Sequence, residues 1–232
     1  MSNTDFLAEL HREYDWRFDE VRRLKNLIEG EKAALRDDLR KSLILLLYAH
    51  FEGYCVFSLQ HYLTAVNTKR LACRTVNPAL VAGAWNRLFQ AMESGDHKCK
   101  VFKQKLPDDH RLHRHWRRRH FVERIDESYR EQVELSEDII DAESNLKPEV
   151  LSRNLFVLGL DHTFVTPHAE TISNLLGKRN RLAHGEDRRG VPEREYEEYE
   201  LSVFAICFKL IDFLEDAYRE SSYERAVPSY PC

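Results

Sequence analysis

Between residues 31 and 66 the chain carries an apolar pattern of helical period, and its centre leaves no polar side. Leu35, Leu39, Leu43, Leu46, Leu47, Tyr54 and Phe57 keep the period, and the run from Leu43 to Tyr54 (LILLLYAHFEGY) is apolar nearly all round. A helix with one apolar stripe can lie on a surface, whereas one that is apolar on every side has to be enclosed. This segment therefore belongs in the middle of a helical bundle or in a dimer interface. Two other segments supply amphipathic partners. Leu7, Leu10, Tyr14, Phe18, Val21, Leu24 and Ile28 form one helical face, with Ser2 to Thr4 placed to cap it and Gly30 to end it. Tyr196, Tyr199, Val203, Ile206, Leu210, Phe213 and Ala217 alternate steps of three and four after Pro192, the cleanest periodic signal in the chain.

Shorter helices are expected over 77–92, with Pro78 near the start, over 148–158, ended by Gly159 and Asp161, and over 168–183, stopped by Gly185. No segment alternates with period two for long. The 8 glycines and 7 prolines are too few for a protein of many short strands. The fold class is all-α, an antiparallel helical bundle, and the 232 residues make one domain. Its central part, 67–147, has the weakest periodicity and reads as an insertion or mobile arm, basic from His97 to His120 and then acidic from Glu123 to Glu143. The tail from Ser221, with Pro228 and Pro231, is expected to be irregular, and Tyr218, Tyr223 and Tyr230 to lie on the surface.

The formal net charge of -4 excludes a surface that binds nucleic acid all over, so any such contact has to be a local patch. Cys55, Cys73, Cys99, Cys207 and Cys232 are scattered and odd in number, without a CxxC pair, as expected of reduced thiols in a cytoplasmic protein. The first residues resemble no signal peptide. The longest apolar run, Leu43 to Ala49, is too short to span a bilayer, so no membrane association is expected.

The stretch Lys178-Arg179-Asn180-Arg181-Leu182-Ala183-His184-Gly185-Glu186 carries the chemistry. Arg179 holds a permanent charge and a planar fork suited to phosphate oxygens. His184 can transfer protons near neutral pH, and a helix C-terminus favours a cationic imidazole, as a general acid requires. Asn180 could orient a phosphate or a ribose. Together these groups suit metal-independent RNA cleavage by the 2′-hydroxyl. On a continuous helix, residues five apart lie about 140° apart around the axis. The helix must therefore end or distort near His184, or a second copy of the motif must complete the site across a two-fold axis. By spacing alone, the simpler reading is a helix C-terminus decorated with cations.

Glu52 stands in the apolar centre of the second helix and has to be paired or sit at a cleft. It could support the Arg179–His184 pair or form a structural ion pair. His50 reads as a satisfied core histidine. In the basic stretch, Arg114, Arg117, Arg118 and Arg119 surround Trp116. They could form an RNA-contacting arm with a ring for stacking, or a solvated face paired with the acidic segment behind it. His110, His113, His115 and His120 lie in the same stretch, but no carboxylate is spaced to complete a metal site and no HExxH occurs. No metal or cofactor is expected.

The stretch RNRLAHGE resembles the HEPN signature: an arginine, a polar residue, and a histidine at the end of a core helix. LLLYAHFEGYC resembles the second helix of those domains, and SNLKPEVLSRNLFVLGLD resembles the segment before the motif helix in the MAE_28990-like subgroup. The resemblance covers about residues 32–66 and 144–217 and leaves the central part out. It implies a dimerising helical bundle whose two motif copies face one another, with Arg179 and His184 as catalytic pair and Asn180 as the polar residue. It also implies RNA cleavage that leaves a 2′,3′-cyclic phosphate, in a toxin or phage-defence effector with an antitoxin or regulatory partner. The net acidity points to a shaped RNA such as tRNA. The alternative is a non-catalytic helical module that pairs with another protein.

Overall fold

The computed structural model describes residues 1–95, 98–101, 110–141 and 145–226. His97, Glu143, Ser144, Pro228, Tyr230, Pro231 and Cys232 lie outside the described residues. Among the described residues the protein is all-α, with eight α-helices and no strand. α1 (Asn3–Glu29) and α2 (Ala33–Asn67) are joined by three residues and pack along one another. Ser2 caps α1 in a reciprocal box: its hydroxyl accepts from the Asp5 N–H, and the Asp5 carboxylate accepts from the Ser2 N–H.

α2 is the central helix. Leu43, Ile44, Leu47, Tyr48, Phe51, Tyr54 and Cys55 are all buried, so apolar groups are needed on more than one side. α1, α7 (Ala169–Ala183) and α8 (Glu193–Arg219) enclose it. By length and composition α2 would pass for a membrane-crossing helix, which the run Leu43 to Ala49 alone did not suggest. Within that window 56% is buried inside the bundle. Cys55, Cys73, Cys99 and Cys207 are free thiols, the first two and Cys207 buried.

The central part is more regular than its periodicity suggested. The single helix expected over 77–92 is two, α3 (Pro78–Ala84) and α4 (Asn86–Glu93), broken at Trp85, whose indole packs edge-on against Tyr129. Asn77 caps α3. The basic stretch and the start of the acidic one form a single helix, α5 (His110–Arg130), in which only Ser128 is buried. A helix that rests on α4 but buries almost nothing needs no apolar stripe, which is why its period was illegible. It is tied back to the bundle. The Asn67 side chain donates to the Leu135 carbonyl and accepts from the Leu135 N–H, at 2.8 and 2.9 Å. Main-chain bonds join Cys73 to Glu131 and Val133 to Leu71.

α6 (Pro148–Val157) is followed by Gly159 at φ +70, and a 3₁₀ turn (His162–His168) leads into α7. That turn was not legible in the sequence, so α7 begins at Ala169 and not at His168. The expected irregular tail is pinned where it is described: the Asn77 N–H donates to the Tyr223 carbonyl and the Arg225 N–H to that of Thr75. Tyr218 and Tyr223 are buried, a correction to their expected exposure: Tyr218, near the end of α8, stacks on Phe6 of α1 and donates its hydroxyl to the Met1 carbonyl, and Tyr223 lies in the tail that folds back over the start of α3.

Candidate active site

α7 ends where Gly185 makes it end. His184 is its C-cap, at φ -87 and ψ 0, and Gly185 takes φ +70. The Gly185 N–H donates to the Leu182 carbonyl and the Glu186 N–H to that of Arg181, the paired bonds that close a helix through a left-handed residue. The loop that follows is docked. Lys178, buried in α7, bridges Asp187 at 3.1 Å and Glu195 at 3.0 Å. Burial disfavours the charged lysine, but the hydrogen bonds that it donates to Glu195 and Asp187 outweigh it and leave the ammonium more firmly protonated than usual. The Val191 N–H donates to the Asp37 carbonyl at 2.8 Å. Gly190 sits so close to α2 that a Cβ there would lie 2.5 Å from that of Asp37.

One turn before this end, the half-buried Arg179 is tied to the body of the protein. Its Nη1 donates to Asn180 Oδ1 at 2.8 Å and to Asn145 Oδ1 at 2.9 Å. Its guanidinium carbon lies 4.9 Å from the centre of the Tyr48 ring, over its face. Tyr48, on α2, is fully buried, and its hydroxyl accepts from the Leu146 N–H at 2.8 Å. The same hydroxyl is hydrogen-bonded to Glu52, one helical turn on. Burial, followed by the charge of Glu52, pushes the Tyr48 hydroxyl up to about 12. Burial also raises the Glu52 carboxyl, against the lowering effect of the Tyr48 hydrogen bond and the Arg179 charge. Thus α2, the segment leading into α6, and α7 converge on one guanidinium.

The structure brings Arg179, Asn180 and Glu52 together, and it adds Tyr48 and Asn145, which were not singled out from the sequence. Tyr48 left a signal, a hydroxyl one turn before a carboxylate in an otherwise apolar helix. Asn145 left none. His184 is not part of this cluster: its ring is exposed and has no side-chain partner among the described residues. His50 faces α1, where its Nε2 meets Glu20 at 2.8 Å. Among the described residues no three His, Cys, Asp or Glu side chains converge for a metal ion.

The residues of the basic helix separate. Trp116 stacks on His120 with ring centres 5.7 Å apart, and Arg117 donates from Nε to the Met92 carbonyl at 2.9 Å. Arg114 and Arg118 are exposed. Arg119 pairs with Glu123 one turn on, at 2.6 Å, so part of this face is neutralised by the acidic segment. The partners of these basic-helix residues lie on α4 and α5, whereas those of Arg179 lie on α2, on α7 and in the segment before α6.

No curated protein and no solved structure matches the chain. A sequence model of the family described as RiboL-PSP-HEPN matches residues 12–218, a stretch that takes in α2, the Arg179 cluster, His184 and most of α8. The match carries no support for the narrower MAE_28990-like placement. With all but the two ends of its sequence matched, the chain belongs to the RiboL-PSP-HEPN family of HEPN domains.

Proposed function

We propose that the protein is a metal-independent endoribonuclease acting as a toxin or phage-defence effector, with Arg179 and His184 as its catalytic pair. The observation that carries this reading is the restraint on Arg179. Two amide oxygens and an aromatic face hold it at the end of a helix, and a preplaced cation loses little freedom when a phosphate arrives. In the proposed reaction the 2′-oxygen of RNA attacks the adjacent phosphorus and its proton passes to water. The bond from phosphorus to the 5′-oxygen breaks, and His184 supplies the proton which that oxygen takes. The products are a 2′,3′-cyclic phosphate and a free 5′-hydroxyl. Arg179 neutralises the phosphoryl oxygens throughout, and Asn180 and Glu52 position it. We place the protein in the cytoplasm as a homodimer, under the control of an antitoxin or regulatory partner, with a shaped RNA such as tRNA as substrate. The basic arm bearing Arg114, Trp116, Arg117, Arg118 and Arg119 would contact that RNA away from the cut.

The test is cleavage of total cellular RNA in EDTA by wild type and His184→Ala, with the product ends analysed. Cutting by wild type alone, with cyclic-phosphate ends, is expected. Equal cutting by both would remove His184 from the mechanism. No cutting by either would favour a non-catalytic module that pairs with another protein.

A further inference from the structure

A cavity of about 450 Å³ lies between α4 and α5. That is within the range of small-molecule pockets, about 300–1,000 Å³. Trp85, Trp116 and Phe121 line it, and Arg87, Arg117 and Arg124 stand around it, against one carboxylate, Glu131. The rings are already braced: Trp116 by its stack on His120 and Trp85 by its edge contact with Tyr129, at 4.7 Å between centres. Little side-chain freedom remains to be lost on binding. The bond from Arg117 Nε to the Met92 carbonyl spans α5 and α4 and holds that guanidinium at the rim. Flat apolar faces edged by guanidinium groups suit a planar, uncharged ring attached to anions. They suit an aliphatic ligand less well. A local excess of arginine on a chain of net charge -4 points the same way.

We propose that this cleft is a single-stranded RNA subsite, which stacks one nucleobase on Trp116 and Trp85 and places the flanking phosphates against Arg87 and Arg124. The choice of ligand rests on the ribonuclease reading above. The cleft shares no lining residue with the Arg179 cluster. The subsite therefore reads a base other than the one at the cut and sets which stretch of a strand reaches it.

The probe is a short single-stranded 2′-O-methyl oligonucleotide, whose blocked 2′-oxygen cannot attack. Binding to the full chain is followed by fluorescence anisotropy, and folding by circular dichroism. Trp116→Ala is expected to weaken binding about tenfold, the size of one lost base stack, while Trp116→Phe keeps most of it. Arg124→Gln is expected to flatten the dependence of log affinity on log salt by about 0.7 for the lost phosphate contact. Wild-type affinity in folded Trp116→Ala, or no binding by the wild-type chain, would overturn the subsite. The cleavage assay fails separately. A nuclease that needs His184 but binds the probe equally well without Trp116 keeps its reaction and loses this subsite. A chain that cuts nothing but binds the probe through Trp116 keeps the subsite and loses the nuclease assignment.

Discussion

Asn145 offers a direct way to ask whether restraint of Arg179 matters. Its Oδ1 accepts from Arg179 Nη1 at 2.9 Å, while Asn180 and the Tyr48 ring hold the same guanidinium from other sides. Hydrogen bonds to a charged group are worth about 1.5–3 kcal/mol. With two of three restraints left in Asn145→Ala, the lower end applies, about 1.5 kcal/mol, or roughly tenfold in rate. The loss is expected in kcat, because in the proposed reaction Asn145 acts only through Arg179. The assay is steady-state cleavage of a defined RNA in EDTA, alongside thermal melting. Asn145 is half-buried and caps nothing, so the melting point is expected to move by only about 2–4 °C per kcal/mol for a chain of this size. Asn145→Asp keeps an acceptor and is expected to stay within a few-fold of wild type. An Asn145→Ala enzyme with unchanged kcat would refute the reasoning, since Arg179 would then not need its anchor.

Gly185→Ala is expected to cost about 1–2 kcal/mol in thermal denaturation, because φ is +70 there while no atom lies within 4 Å of an added Cβ; Gly185→Asn is expected to recover part of it. Glu52 has its carboxyl raised by burial, so its favourable contribution is present below the ordinary value of 4.5 and is lost as pH rises through the raised value. Glu52→Gln should therefore gain in melting temperature relative to wild type between about pH 4 and about pH 7, while cleaving more slowly. Burial lowers the proton affinity of His61, stacked between Phe6 and Phe57, so the fold takes up its proton at a lower pH than the unfolded chain, which protonates near 6.5. Stability should fall as pH drops below that value, and His61→Gln should flatten the fall when urea midpoints are compared at about pH 7.5 and about pH 5.5. In the proposed homodimer, mixing Arg179→Ala with His184→Ala chains should restore about a quarter of the wild-type rate if Arg179 and His184 of different copies share a site, half the dimers being mixed and each keeping one of two sites. No restoration would place both residues of a site on one chain.

The bundle was legible because its long helices bury stripes. α1, α2 and α8 repeat their apolar residues at three and four, and their bounds agree with the structure to within a few residues. α5 was missed as a helix because it buries only Ser128, and Tyr218 and Tyr223 were misplaced because long-range contacts, which leave no mark on composition, lay the first against Phe6 and fold the tail that holds the second over α3. The same division runs through the candidate site. Arg179, Asn180 and His184 sit in one short motif, and Glu52 betrayed itself as a carboxylate in an apolar helix. Asn145 is 34 residues from Arg179 in sequence and is brought to it only by the packing of α2, α6 and α7.

In the proposed reaction that packing divides the labour at the motif. Arg179 is tied inward, to α2 and to the segment before α6, so its free N–H groups have a set direction. His184 stands on a closing turn whose main-chain bonds fix the backbone and leave the ring in solvent. A cation that stabilises charge gains from being immobile, whereas an acid that must reach a leaving oxygen gains from freedom to turn until substrate orders it. Five residues on a helix also separate the two by about 140°. A phosphate seated on Arg179 is thus approached by His184 only if the ring swings past the end of α7, or if the ring belongs to a second copy. Gly185 serves either route, since it ends the helix at His184 and carries the following chain away towards α2.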